Sequence, residues 1–133
     1  MRRFTNPTLF LLSLLLMAVP ALAGPHANVA KTHAKEALTH AGEALSHGDM
    51  GHLNELVKHA KSAIEHANEA VSHAKEDYEQ TGNSHVQEFI KHTKEGVHHL
   101  EEAVSHAKMG HGDVAMQHAR SGNKHLKEGM EHI

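Results

Sequence analysis

Sixteen of the seventeen histidines fall on a seven-residue spacing: His26, His33, His40 and His47; His52, His59, His66 and His73; His85, His92, His99 and His106; His111, His118, His125 and His132. His98 alone stands outside it. Imidazole carries protons near neutrality and ligates borderline metal ions, and histidine is not a favoured helix former, so this recurrence points to one of those two chemistries. On a helix, histidines seven apart are about 10.5 Å apart along the axis, too far to share an ion. Glutamate fills the interval. Glu36/His40, Glu43/His47, Glu55/His59, Glu69/His73, Glu88/His92, Glu95/His99, Glu102/His106 and Glu128/His132 are i,i+4 neighbours, a spacing that can chelate.

Imidazole with carboxylate suits Cu(II), Ni(II) and Zn(II), and the affinity order peaks at Cu(II), which makes copper the expected ion. Two segments, His47-x2-Met50-x-His52 and His106-x2-Met109-x-His111, add a soft thioether to a pair of imidazoles and would accept Cu(I). Binding needs neutral imidazole, so loading is expected to fall as pH drops through about 6.5.

The elements that carry these residues follow from a second period. Adding 59 to each of the first eight histidine numbers gives the second eight, and Met50, Gly51 and Asn54 map onto Met109, Gly110 and Asp113. The chain after residue 23 is therefore a tandem duplication, with units at 26–80 and 85–133 forming one histidine-rich domain over 24–133. Its heptad, close to H-A-K-E-A-[LVI]-[ST], is rich in good helix formers. Gly51 and Gly110 are placed as helix ends, Asn54 and Asp113 as N-caps, and Ser84 with Gln87 as a capping box after the Thr81–Ser84 turn. Helices are predicted over 28–50, 55–80, 85–109 and 114–132. Connections this short force neighbours antiparallel, so the predicted fold is all-α: an up-down-up-down four-helix bundle built from two tandem hairpins.

At about 100° per residue, with histidine at zero, the small residue four later falls near 40°, the residue one later near 100° and the aliphatic five later near 140°. These make the apolar stripe, and histidine borders it with glutamate on its other flank. A turn centred on 52–53 sets His47 level with His59, His40 with His66 and His33 with His73. The second unit repeats this as His106/His118, His99/His125 and His92/His132. Six rungs would take about six ions, each held by two imidazoles plus carboxylate or water.

The remaining composition narrows the class. Arg2 and Arg3, the apolar run from Leu9 to Val19 and the small-residue site Ala21-Leu22-Ala23 read as a secretory signal cleaved after Ala23. Without Arg2 and Arg3, 11 basic residues face 16 acidic ones, a formal charge of −5 that argues against nucleic acid as partner. The absence of cysteine removes disulfides and thiolate metal sites. No nucleophile motif, phosphate loop or c-type haem motif is present, and no enzyme is expected. Nor is membrane attachment after cleavage, and the chain is expected to be a monomer that metal could link.

The HAKEA-like heptads, the Gly-His segments GHLNELVKHAKSAIEHA and GHGDVAMQHA, the GNSHV linker at 82–86, the signal and the lack of cysteine together resemble the small metal-binding protein family, histidine-rich periplasmic copper binders. The resemblance covers essentially the whole chain after residue 23. It implies a periplasmic four-helix bundle that takes several divalent ions, copper foremost, for sequestration or tolerance, with the heptad histidines as ligands. Met50 and Met109 lie outside that pattern. Three functions are thereby set against one another: a multi-site metal buffer, a single-site copper metallochaperone using the Met-containing turns, and a structural helical protein whose histidines act as a pH switch.

Overall fold

The computed structural model describes residues 24–133. The predicted signal over 1–23 lies outside them. Four helices follow in order, α1 (Pro25–Asp49), α2 (Leu53–Thr81), α3 (Ser84–Lys108) and α4 (Gly112–Met130), and there is no strand among the described residues. Each helix packs against its chain neighbours and α1 closes the ring against α4, which gives the four-helix bundle of two hairpins that the periodicity predicts.

The turns explain where the helices stop. Gly51 and Gly110 adopt φ of +76° and +77°, a conformation glycine reaches without steric cost. In each turn two carbonyls of the last helical residues are satisfied from beyond the glycine: His52 N–H donates to His47 O and Gly51 N–H to Gly48 O, repeated by His111 to His106 and Gly110 to Ala107. This is the Schellman arrangement. The following helices start earlier than predicted: His52 and His111, not Asn54 and Asp113, are the N-cap residues, and neither makes a side-chain cap. The middle turn also differs by one residue. Asn83, not Ser84, caps α3, with its Oδ1 accepting from His85 N–H at 3.0 Å.

The core is narrow because its residues are small. α1 buries only alanine, at 27, 30, 34, 37, 41 and 44, a 3-4 spacing that keeps one face turned inward. α2 answers with Ala60, Ala63, Ala67, Ala70 and Ala74. Between α3 and α4, Gly96 and Gly122 do the same work: a methyl group on Gly96 would meet Gly122 O at 3.1 Å, and one on Gly122 would meet Gly96 O at 3.0 Å. Larger residues close the space between hairpins. Leu56, Val97, Leu100, Val104, Met116 and Leu126 form one cluster with the alanines, flanked by half-buried Leu38, Leu45 and Ile64. Phe89 and Val86 head a second cluster at the other end. In the first hairpin Leu38, Leu45 and Ile64, five after histidine, pack at the stripe's edge while alanines one and four after it form most of its centre. In the second, Leu100 and Leu126 take the former of those central positions and Phe89 the latter, and Val97 and Val104 are buried. None of the described helices is long and apolar enough to cross a membrane.

Candidate metal centre

Close approach of two alanine faces brings the residues bordering them together as well. In each hairpin the eight heptad histidines form one continuous file of rings, alternating between helices. The first runs His52, His47, His59, His40, His66, His33, His73, His26, and the second His111, His106, His118, His99, His125, His92, His132, His85. All sixteen are in a file. His98 is exposed and touches one file only at His99.

Two kinds of step alternate along each file. The level pairs His47/His59, His40/His66, His33/His73, His106/His118, His99/His125 and His92/His132 stack nearly parallel, with centroids 5.1–5.7 Å apart and planes within 2–7°. These are the six rungs predicted from the turn. The pairs offset by one heptad, His26/His73, His33/His66, His40/His59, His85/His132, His92/His125 and His99/His118, stand 5.7–6.1 Å apart and are tilted by 21–32°.

The carboxylates enter at the offset pairs, which corrects the predicted ligand sets. Five groups hold donor atoms all within 4.8 Å of one another: His26, His73 and Glu76; His33, His66 and Glu69; His40, Glu43 and His59; His92, His125 and Glu128; His99, Glu102 and His118. In each, glutamate reaches back to the histidine three before it, not forward to the one four after. The reason is side-chain direction. Helical side chains lean toward the N-terminus, and glutamate is long enough to lie over the preceding turn. Glu55 and Glu88, predicted as ligands, instead meet Lys58 at 3.7 Å and Lys91 at 3.9 Å. Glu76 was not among the predicted carboxylates, although its place three after His73 is the signal that finds it.

The pairs His33/His66 and His92/His125 differ from the rest by having a carboxylate from each helix. Glu36 lies 3.3 Å from His33 Nδ1 and 3.1 Å from His66 Nδ1, while Glu69 lies 3.0 and 3.5 Å from the same two atoms. The second unit repeats the arrangement with Glu95 at 3.7 and 3.3 Å from His92 and His125, and Glu128 at 3.5 and 3.1 Å. At His40/His59 and His99/His118 the second carboxylate is absent because Ser62 and Ser121 hold the position three after His59 and His118. There Glu43 bridges both imidazoles at 2.9 Å, and Glu102 does so at 3.3 and 2.9 Å.

These distances test whether an ion fits. Donors bound at about 2.0–2.1 Å around one ion lie about 2.9–3.4 Å from each other at right-angled to tetrahedral geometry, close to the separations seen here. Hydrogen bonding alone does not account for the two-carboxylate groups. Nδ1 of His33, His66, His92 and His125 is buried with a carboxylate within 3.0–3.7 Å, yet none of the four makes a hydrogen bond, because the oxygen lies off the ring N–H direction. Buried polar atoms are normally satisfied. In each group, two convergent ring nitrogens facing two carboxylates are what a bound cation would satisfy.

The fold and the donor groups define a helical metal-binding protein with several histidine–carboxylate sites. The sequence matches the small metal-binding protein family over residues 2–129, and the chain belongs to that family. No match is found among curated proteins.

Proposed function

We propose that the chain is an exported, non-catalytic buffer that holds several divalent transition-metal ions, copper foremost, in the periplasm after cleavage behind Ala23. The observation that carries this reading is the repetition of like groups: five histidine–carboxylate sets spread along two files, none enclosed or distinguished as a single centre. Dispersed sites of three or four side-chain donors, half-exposed and repeated, favour capacity over tight retention. Two imidazoles with two carboxylates match the tetragonal N,O preference of Cu(II), and Ni(II) or Zn(II) would compete for the same donors. The export reading rests on the sequence of residues 1–23. Calorimetric titration with Cu(II), Ni(II) and Zn(II), paired with native mass spectrometry, tests the proposal. About five ions with Cu(II) tightest are expected from the donor sets and the affinity order; a stoichiometry of one or zero would sink it.

One observation favours a second role at the turns. Met50 and Met109 are 58% and 54% exposed, beside the His47/His52 pair at 5.9 Å and the His106/His111 pair, whose Nδ1 atoms are 3.5 Å apart. An exposed thioether near paired imidazoles suits capture of Cu(I). A metallochaperone built on these turns predicts one tight Cu(I) site lost on Met50→Leu or Met109→Leu, with weak binding elsewhere.

A further inference from the structure

Asp77 is a carboxylate in the interior, 2% exposed, on the same face of α2 as Ala70 and Ala74. Among the described residues its only side-chain partner is the Thr81 hydroxyl, 3.5 Å from Oδ2, and that hydroxyl also donates to the Asp77 backbone carbonyl at 2.9 Å. A hydroxyl has one proton to give. No cationic side chain of the described residues lies within ion-pair reach of it. A buried carboxylate in this state is costly unless something positive faces it.

What faces it is Gly24. A methyl group on Gly24 would lie 2.5 Å from Asp77 Oδ1, so the Gly24 Cα itself is within about 4 Å of that oxygen and its nitrogen one bond of about 1.5 Å further along the chain. Gly24 is also the residue that follows the proposed cleavage point. Hydrolysis of the Ala23–Gly24 peptide adds one water: the carbonyl of Ala23 leaves as a carboxylate, and the nitrogen of Gly24 becomes an α-ammonium.

We propose that this α-ammonium is the counter-ion of Asp77, so that cleavage supplies the charge that fixes the start of α1 against α2. The inference rests on the export reading above. Three details of the sequence support it. Glycine leaves the room that any side chain at this position would take from the carboxylate. Pro25 has no amide proton, so the freed amine cannot join the chelate of amine, two amide nitrogens and imidazole that a terminus with histidine third would otherwise form with Cu(II). Asp77, finally, interrupts a stripe that is otherwise small and apolar, in the turn of α2 that lies beside the start of α1.

The test is a double-mutant cycle in chelator at one fixed pH, with the chain beginning at Gly24, which contains all four helices. Nα-acetylation is expected to lower Tm by about 4–8 °C when Asp77 is present and to have no effect after Asp77→Asn. An equal effect of acetylation in both backgrounds would overturn the pairing. To cover an Asp77→Asn chain that does not fold, zero-length carbodiimide crosslinking of the unsubstituted protein gives a second readout. A Gly24–Asp77 amide found by peptide mass spectrometry is expected, and its absence counts against the pair. Intact mass of the full chain after expression in an export-competent host separates the two readings. Uncleaved protein overturns export and pairing together, cleavage elsewhere overturns pairing alone, and cleavage before Gly24 without crosslink or coupling does the same.

Discussion

At Glu36 and Glu69 the chemistry depends on which histidine each carboxylate reaches. Replacing both by glutamine removes the two carboxylates from the His33/His66 group while leaving the helices and the ring file in place. We expect calorimetry to show the loss of one ion from the stoichiometry, with helicity by circular dichroism unchanged. Glu55→Gln is the matched control: its carboxylate meets Lys58, and the ion count should not move. Acid should empty every site, since a protonated imidazole cannot ligate. Bound copper measured after equilibrium dialysis should decline as pH falls, because protons compete with the ion for the imidazole nitrogens. The histidines that make up the two files were legible from spacing alone. The carboxylate partners were not, because i+3 and i−4 lie on the same flank of a helical wheel and only the lean of the side chains separates them.

For the helices and turns, the sequence carried more of the answer. Duplication, heptad and turn glycines were enough to place four antiparallel helices, and the level pairs that stack within 2–7° are those expected from the turn. The missed caps have a common cause. At both hairpin turns the Schellman bonds already direct the chain into the next helix at His52 and His111, so the polar residues two further on, Asn54 and Asp113, stand at the second helical position, past the place of a cap. Two substitutions test how the elements hold the site. Gly51→Ala forces a left-handed backbone on alanine and should cost about 1–2 kcal/mol by urea unfolding. Ala41→Leu overfills the face of α1 that meets α2 and should cost about 1–3 kcal/mol. If close approach of α1 and α2 sets the ring spacing within the first file, the same variant should weaken metal binding at His40/His59 beyond any loss of stability.

Across the molecule, binding and folding are linked. An ion that prefers the folded chain stabilises it by about 2.7 kcal/mol per site at a hundred times its dissociation constant. Scanning calorimetry should therefore show Tm rising through several additions of copper and returning on chelation; a Tm indifferent to copper would mean that the unfolded chain binds as well. Each ring file lies within one hairpin, so the two halves should load independently.

The uneven supply of carboxylates then decides the order of loading. A divalent ion at His33/His66 is neutralised by Glu36 and Glu69, whereas one at His40/His59 or His26/His73 has a single carboxylate and keeps one net positive charge. Successive groups stand about 10.5 Å apart, where two such residual charges would repel by about 0.4 kcal/mol even in water. With the neutral group between them they are about 21 Å apart, beyond the ~8 Å screening length of physiological salt. The first hairpin should fill from its middle outward, without the outer ions repelling one another, and the second from His92/His125 to His99/His118, so that uptake is spread across a range of metal concentrations.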